Sequence, residues 1–150
     1  MADIRVEKMA DLLVNYSVAV KPGDKVVIQG ETSGEPLIKA VFIKVLQAGG
    51  LPYIMPSLPG VEELLYKYGS DKQLQFVPEP YKLVMNTYDC RIVVFSDSNT
   101  KALSNVDSAK MVLRSQSRSE LMKIMMNRSA AGELRWVFRA LSHQCSGAGC

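Results

Sequence analysis

Histidine is almost missing from this 150-residue chain: there is one, His143, close to the C-terminal end. A transition-metal centre needs several imidazole, thiolate or carboxylate groups that converge, so this scarcity argues against a complete centre within these residues. Three cysteines, Cys90, Cys145 and Cys150, form neither a zinc-type spacing nor a disulfide framework. Cys90 reads as a small buried hydrophobe. His143, Cys145 and Cys150 read either as part of a polar tail or as a weak metal or thiol site. No apolar run approaches the roughly 18 residues that a membrane helix requires. The opening Met1-Ala2-Asp3-Ile4-Arg5 has no basic cluster leading into a hydrophobic stretch. A secretory leader is therefore not expected, and the chain is expected to be cytoplasmic with reduced thiols.

The standard catalytic signatures are missing as well. No Gly-x-Ser-x-Gly elbow occurs, and Ser96 and Ser98 lack a histidine in an ordered element to act as base. The Ser96-Asp97-Ser98-Asn99 stretch is read as a polar connection satisfying its own backbone, although α/β proteins do place ligands past such strands. A dinucleotide fingerprint is absent: Gly30-Glu31-Thr32-Ser33-Gly34-Glu35 puts carboxylates where a pyrophosphate would sit. Neither Lys nor Ser/Thr follows Gly34, which removes a Walker loop. Glu31 and Glu35 are read as solvated, or as facing a cation above the sheet.

What is present is an alternation of strand and helix. Val26-Val27-Ile28 ends at Gly30, and Leu37, Ile38, Val41, Phe42, Val45 and Leu46 then recur at helical spacing, with Ser33 or Thr32 as cap and Pro36 in the first turn. Gly49-Gly50 ends this helix, and Leu51 to Met55 is a second strand. This is a parallel βαβ unit. Before it, Asp3 to Ser17 predicts an amphipathic helix, with Lys21-Pro22-Gly23-Asp24 as the turn into the first strand. After it, Pro56 to Gly60 is a rigid link and Val61 to Tyr68 a short helix stopped by Gly69. Ser70 with Gln73 is a capping box, Pro78 and Pro80 interrupt the next turn, and Tyr81 to Asn86 is helical.

Arg91 to Phe95 is a third strand. Asp107 caps a helix from Ser108 to about Ala131, with an inner face of Ala109, Leu113, Leu121, Ile124 and Met125. Gly132 ends it, and Leu134 to Phe138 is a fourth strand. The expected fold is α/β: a three-layer αβα arrangement around a mostly parallel sheet of about four strands, Rossmann-like but without the dinucleotide motif. One domain covers 1–141 and a tail covers 142–150.

The formal net charge is only +3. Lys110, Arg114 and Arg118 recur every four residues and are expected to point outward. They read as a solvated helix face, or as a contact for an acidic partner domain. Glu120 follows closely and no aromatic residues interleave, so no nucleic-acid partner is expected. Met111, Val112 and Met122 lie off the main apolar face of the same helix and predict a second packing surface.

Taken in order, Leu12 to Ser17, Val20-Lys21-Pro22-Gly23-Asp24-Lys25-Val26, Pro36-Leu37 and Ala48-Gly49-Gly50-x-Pro52 carry a resemblance. So do Asn99-Thr100-x-Ala102-Leu103-Ser104 and Gly132-Glu133-Leu134-x-Trp136. From about Asp3 to Val137 the chain resembles the aminopeptidase T / aminopeptidase S / PepS family of thermophilic-type metalloaminopeptidases. That resemblance implies the N-terminal α/β domain of a longer, usually dimeric enzyme. Such an enzyme removes N-terminal residues from peptides with two divalent ions, commonly cobalt, zinc or magnesium. The family's metal ligands (glutamates, histidines and an aspartate) and its catalytic tyrosine lie in the C-terminal half. No residue here corresponds to them, so no catalytic, cofactor-binding or metal residue is assigned. The resemblance also implies the missing catalytic domain as a partner, a homodimer, and peptide substrate only in the full-length enzyme. Past the tryptophan strand, Arg139 to Cys145 and Ala148-Gly149-Cys150 depart from the family's Pro-Thr segment and Ala-Gly-Met turn. The alternative reading is a non-enzymatic interaction or dimerisation module acting through Met111 to Met126.

Overall fold

The computed structural model describes residues 3–96 and 105–141. Helix α1 spans Ile4–Asp11, with the Asp3 carboxylate accepting the Arg5 N–H at its start, and relaxes into a π-helical stretch, Leu12–Ser17. Strand β1 (Lys25–Glu31) is followed by a 3₁₀ turn at Thr32–Gly34, helix α2 (Glu35–Gln47) and strand β2 (Leu51–Ser57). Three short helices come next: α3 (Val61–Tyr68), α4 (Asp71–Gln75) and α5 (Glu79–Thr87). Strand β3 (Cys90–Ser96), helix α6 (Ser108–Ala130) and strand β4 (Arg135–Leu141) complete the order.

The four strands form one parallel sheet in the order β2-β1-β3-β4. Parallel strands covered on both faces carry continuous apolar runs rather than alternating ones. Val26, Val27 and Ile28 in β1 and Ile92, Val93 and Val94 in β3 are all buried. On one face Ala10, Leu13, Val14, Leu37, Ile38, Val41 and Val45 pack on Val26, Ile28, Ile92 and Val94. On the other, Met85, Leu121, Met125 and Leu134 form a smaller cluster with Val77, Tyr81, Ile124 and Trp136. The expected three-layer α/β architecture is therefore present. The core is weighted toward the α1/α2 side.

Local expectations fare unevenly. The capping box is made: Ser70 Oγ accepts the Gln73 N–H while the Gln73 side chain accepts the Ser70 N–H. Asp107 caps α6 by accepting the Ala109 N–H. Neither Thr32 nor Ser33 caps α2, because both lie in the 3₁₀ turn and Gly34 takes the cap position without a side-chain bond. Leu46 is exposed, since α2 rests on the sheet along a stripe that ends at Val45. In α6 only Leu121 and Met125 of the predicted inner face are fully buried; Ala109 is exposed. Pro56 and Ser57 belong to β2 rather than to the link, and Pro80 sits in the first turn of α5, where a missing N–H breaks nothing.

Gly49 and Gly50 make the α2–β2 turn tight. Gly49 has φ +83°, and a Cβ on Gly50 would lie 2.8 Å from Val20 Cγ1 and 2.9 Å from Val45 Cγ1. Both neighbours are β-branched and have little room to move. Ile28 is fully buried at the centre of the larger core. Ile28→Ala should lower stability in urea denaturation by about 3 kcal/mol at unchanged m-value. A loss under about 1 kcal/mol would show that this side of the sheet is not the main source of stability.

Candidate functional site

Strand order 2-1-3-4 places the topological switch between β1 and β3, so a crevice outside their carboxyl ends is where an α/β sheet of this kind would hold a ligand. On the β1 side this end consists of Glu31, the 3₁₀ turn and the start of α2. Gly30 is explained by packing: a Cβ there would meet Val94 O and Ile38 Cδ1, both at 3.0 Å. Glu35 turns onto the helix surface and pairs with Lys39, one turn on, and that hydrogen bond and charge lower its pKa. The pair is exposed and carries no cation-site geometry. On the β3 side Ser96 ends the strand. Ser98 and the motif Asn99 to Ser104 lie outside the described residues.

Among the described residues no group of three or more His, Cys, Asp or Glu side chains could hold a metal ion. His143, Cys145 and Cys150 lie outside the described residues. The donor set described here does not fit a two-metal hydrolytic centre.

Of the basic stripe of α6, Lys110 and Arg114 turn toward neighbouring elements, contrary to expectation, while Arg118 is exposed as expected. Lys110 Nζ donates to the Tyr66 carbonyl at 2.9 Å, and Arg114 Nε donates to Glu62 Oε1 at 3.1 Å. Arg114 also reaches the Leu74 carbonyl, and its side chain is only 14% exposed; Arg118 lies 3.7 Å from the same Glu62. The stripe ties α6 to α3 and α4. Periodicity shows which α6 residues share a face, but not that α3 presents a carboxylate to that face. Burial, then the neighbouring Glu62 charge, pushes the Tyr66 phenol up. Met111, Val112 and Met122, which lie off the main apolar face, are exposed, as is Met126.

Two polar clusters escaped the sequence reading. At the amino ends of the strands, the Asp24 carboxylate accepts the Lys21 N–H at 2.9 Å and pairs with the Arg135 guanidinium. Arg135 also reaches Cys90 Sγ at 3.2 Å, so Cys90 is buried as expected but is not a purely apolar filler. Asp89 Oδ2 accepts the Lys25 N–H at 2.8 Å. The signal was present: Asp24 and Asp89 each stand just before a strand. On the α5/α6 face, Arg91 donates to Gln29 and, at 2.9 Å, to Tyr81 Oη, and lies 5.3 Å from the Phe138 ring centroid. Its partners are neutral and burial lowers its pKa, which makes it a packed structural cation. A lone arginine inside a β-branched run gave no pattern to detect.

A parallel three-layer α/β domain, with its polar side chains tied into the fold and no metal-ligand cluster among its described residues, is thus the class of protein present. The model of the thermophilic metalloprotease (M29) family matches residues 2–147, and the chain belongs to that family. No curated protein matches it. Among solved structures it is similar to wild-type AmpT from Thermus thermophilus, with TM-score 0.76 at 15% identity over 97% of this chain and 39% of that one. The chain thus spans about two fifths of the length of AmpT, and at this identity the likeness shows the fold alone. CurK enoyl reductase (12% identity) and an alcohol dehydrogenase superfamily protein from Novosphingobium aromaticivorans (15%) each align over 87% of this chain and 50% of their own. Their TM-scores are 0.38, too low to support an argument.

Burial pushes the Cys90 thiol up, outweighing the lowering contact with Arg135. An unfolded cysteine ionises near about 8.5, so above that pH the unfolded chain releases a proton that the native chain keeps. The thiol's stabilising contribution is complete below about 8.5 and declines as pH rises toward the higher native value. Urea stability of the wild type relative to Cys90→Ala should therefore fall between about pH 7.5 and about pH 9.5. A difference that stays flat across that range would contradict this. Arg114→Ala should cost about 2 kcal/mol in the same assay at neutral pH, since it leaves Glu62 and the Leu74 carbonyl without their partner. A change within about 0.5 kcal/mol would restore the solvated-stripe reading.

Proposed function

We propose that this chain is the N-terminal α/β domain of a metal-dependent aminopeptidase that removes N-terminal amino acids from peptides. The observation that carries the reading is the family match over residues 2–147, combined with a described donor set unable to hold a metal. The two divalent ions, cobalt, zinc or magnesium, belong to a catalytic part outside these residues. That part is this domain's partner, and peptide substrate meets only the complete enzyme. The domain walls the substrate cleft and contributes to assembly, with a homodimer as the working state. No nucleic-acid partner is assigned, because Lys110, Arg114 and Arg118 are engaged by α3 and α4. No described helix is long and apolar enough to cross a membrane, and a cytoplasmic location fits the reading. A second reading, a non-enzymatic interaction module, draws on the exposed Met111, Val112, Met122 and Met126 of α6.

The direct test is hydrolysis of aminoacyl chromogenic substrates by the purified 150-residue chain with Co²⁺, Zn²⁺ or Mg²⁺ added. No metal-dependent turnover above the metal-only blank is expected. Turnover abolished by a chelator and restored by the ion would overturn the assignment of the metal pair to another part of the enzyme.

A further inference from the structure

Helix α3 is docked by its polar face. A surface helix normally buries its apolar stripe. In α3, Val61, Leu64 and Tyr68 share one face and are 48%, 55% and 73% exposed, and Leu58 just ahead of them is exposed as well. Glu62 and Glu63 are half-buried on the opposite side, and Tyr66 is the one fully buried residue of the helix. What holds α3 is a set of polar contacts that reach it from α6. Arg114 donates to both oxygens of Glu62, at 3.1 and 3.4 Å, with Arg118 3.7 Å away, and Lys110 Nζ donates to the Tyr66 carbonyl. A cavity of about 370 Å³ lies beside these contacts, lined by Glu63, Tyr66 and Lys67 on one side and by Val106, Asp107 and Lys110 on the other.

The neighbouring segments are built differently. Helix α4 is anchored, since Leu74 is fully buried and the Ser70–Gln73 capping box fixes its start. Ahead of α3, Gly60 takes φ +86° with open space where a Cβ would lie, so the chain can turn there at little steric cost. Ion pairs and hydrogen bonds that water can replace contribute little net stability. A helix of eight residues does not hold itself together once it leaves its support.

We propose that α3 is a flap: Leu58 to Gly69 leave α6 as one unit, turning at Gly60 and latched by Glu62, while the sheet, α4 and α6 stay folded. The flap starts just past the carboxyl end of β2, the end of the sheet where the switch between β1 and β3 would hold a ligand. Opening bares Glu62, Tyr66 and the wall of the cavity. The inference rests on α3 and α6 alone and stands apart from the aminopeptidase reading.

The test is native-state hydrogen exchange on the full chain at a series of low urea concentrations. Undocking is read at the Leu65 to Tyr68 amides and at the Gly69 amide, which bonds to the Leu65 carbonyl at 2.8 Å. These amides should share one opening, at least about 100-fold more frequent than that of the Val27 and Ile92 amides and nearly independent of urea. Glu62→Gln should speed their exchange about tenfold, whereas Glu35→Gln, which breaks an exposed pair elsewhere, should leave it within about twofold. Arg118→Gln, at an exposed side chain, replaces Glu62→Gln if that variant fails to fold, with an expected gain of about threefold. Circular dichroism establishes which variant is native. Protection equal to that of Val27 and Ile92, exchange graded inward from the helix ends, or rates unchanged by a natively folded latch variant would each overturn the proposal.

Discussion

Two aspartates hold the amino ends of all four strands together. Asp89 gives its carboxylate to the Lys25 N–H, its own N–H to the Lys25 carbonyl, and its carbonyl to the Arg135 N–H, which links β1, β3 and β4. Asp24 gives its carbonyl to the Leu51 N–H and its carboxylate to the Lys21 N–H and to Arg135, which adds β2 and the entry turn. A parallel sheet leaves unpaired backbone groups where its strands begin, and buried groups of that kind are costly unless bonded. Here side-chain carboxylates and the carbonyls just upstream satisfy several of them. Register is fixed at the same stroke. A one-residue slip would take Ile28 and Ile92 off the α1/α2 face, so pinning the strand starts also pins the core.

That arrangement gives the two ends of the sheet different roles. The amino end is occupied by charge: Asp24 pairs with Arg135, which also reaches the Cys90 thiol, Asp89 holds the Lys25 N–H, and Arg135 Nε is buried without a hydrogen-bond partner among the described residues. The carboxyl end carries the switch between β1 and β3, where connections diverge to opposite faces and a crevice can open. Gly30 there is set by packing under Ile38, and Glu35 pairs with Lys39 on the helix surface.

Much of the fold was legible in the sequence because its signals are local. Val26-Val27-Ile28 and Ile92-Val93-Val94 announce strands buried on both faces, and Gly49-Gly50, Ser70 with Gln73, Asp107 and Gly132 punctuate the chain by their own backbone chemistry. What failed was anything decided by a distant partner. Arg114 looked solvated because Glu62 is 52 residues away in sequence. Leu46 looked buried because the helical period continues through it, whereas the sheet beneath α2 does not. The donor set was legible as a scarcity, since counting histidines and cysteines needs no geometry. The linkage of Asp24 to Arg135, across 111 residues, required the sheet order.

The fate of the arginines completes the physical picture. Arg91 is packed against Gln29, Tyr81 and Phe138, and Arg114 bridges α6 to α3 and α4. Arg128 donates to the Met85 and Tyr88 carbonyls at 2.9 and 2.8 Å, satisfying acceptors at the end of α5. Arg135 closes the strand starts. Each guanidinium bridges separate elements, and its planar fork suits several acceptors at once. A positive charge spent on internal clamps is not available to a polyanion. The modest net charge therefore overstates the cationic surface, while α6 and β4 leave Met111, Val112, Met122, Met126 and Phe138 exposed.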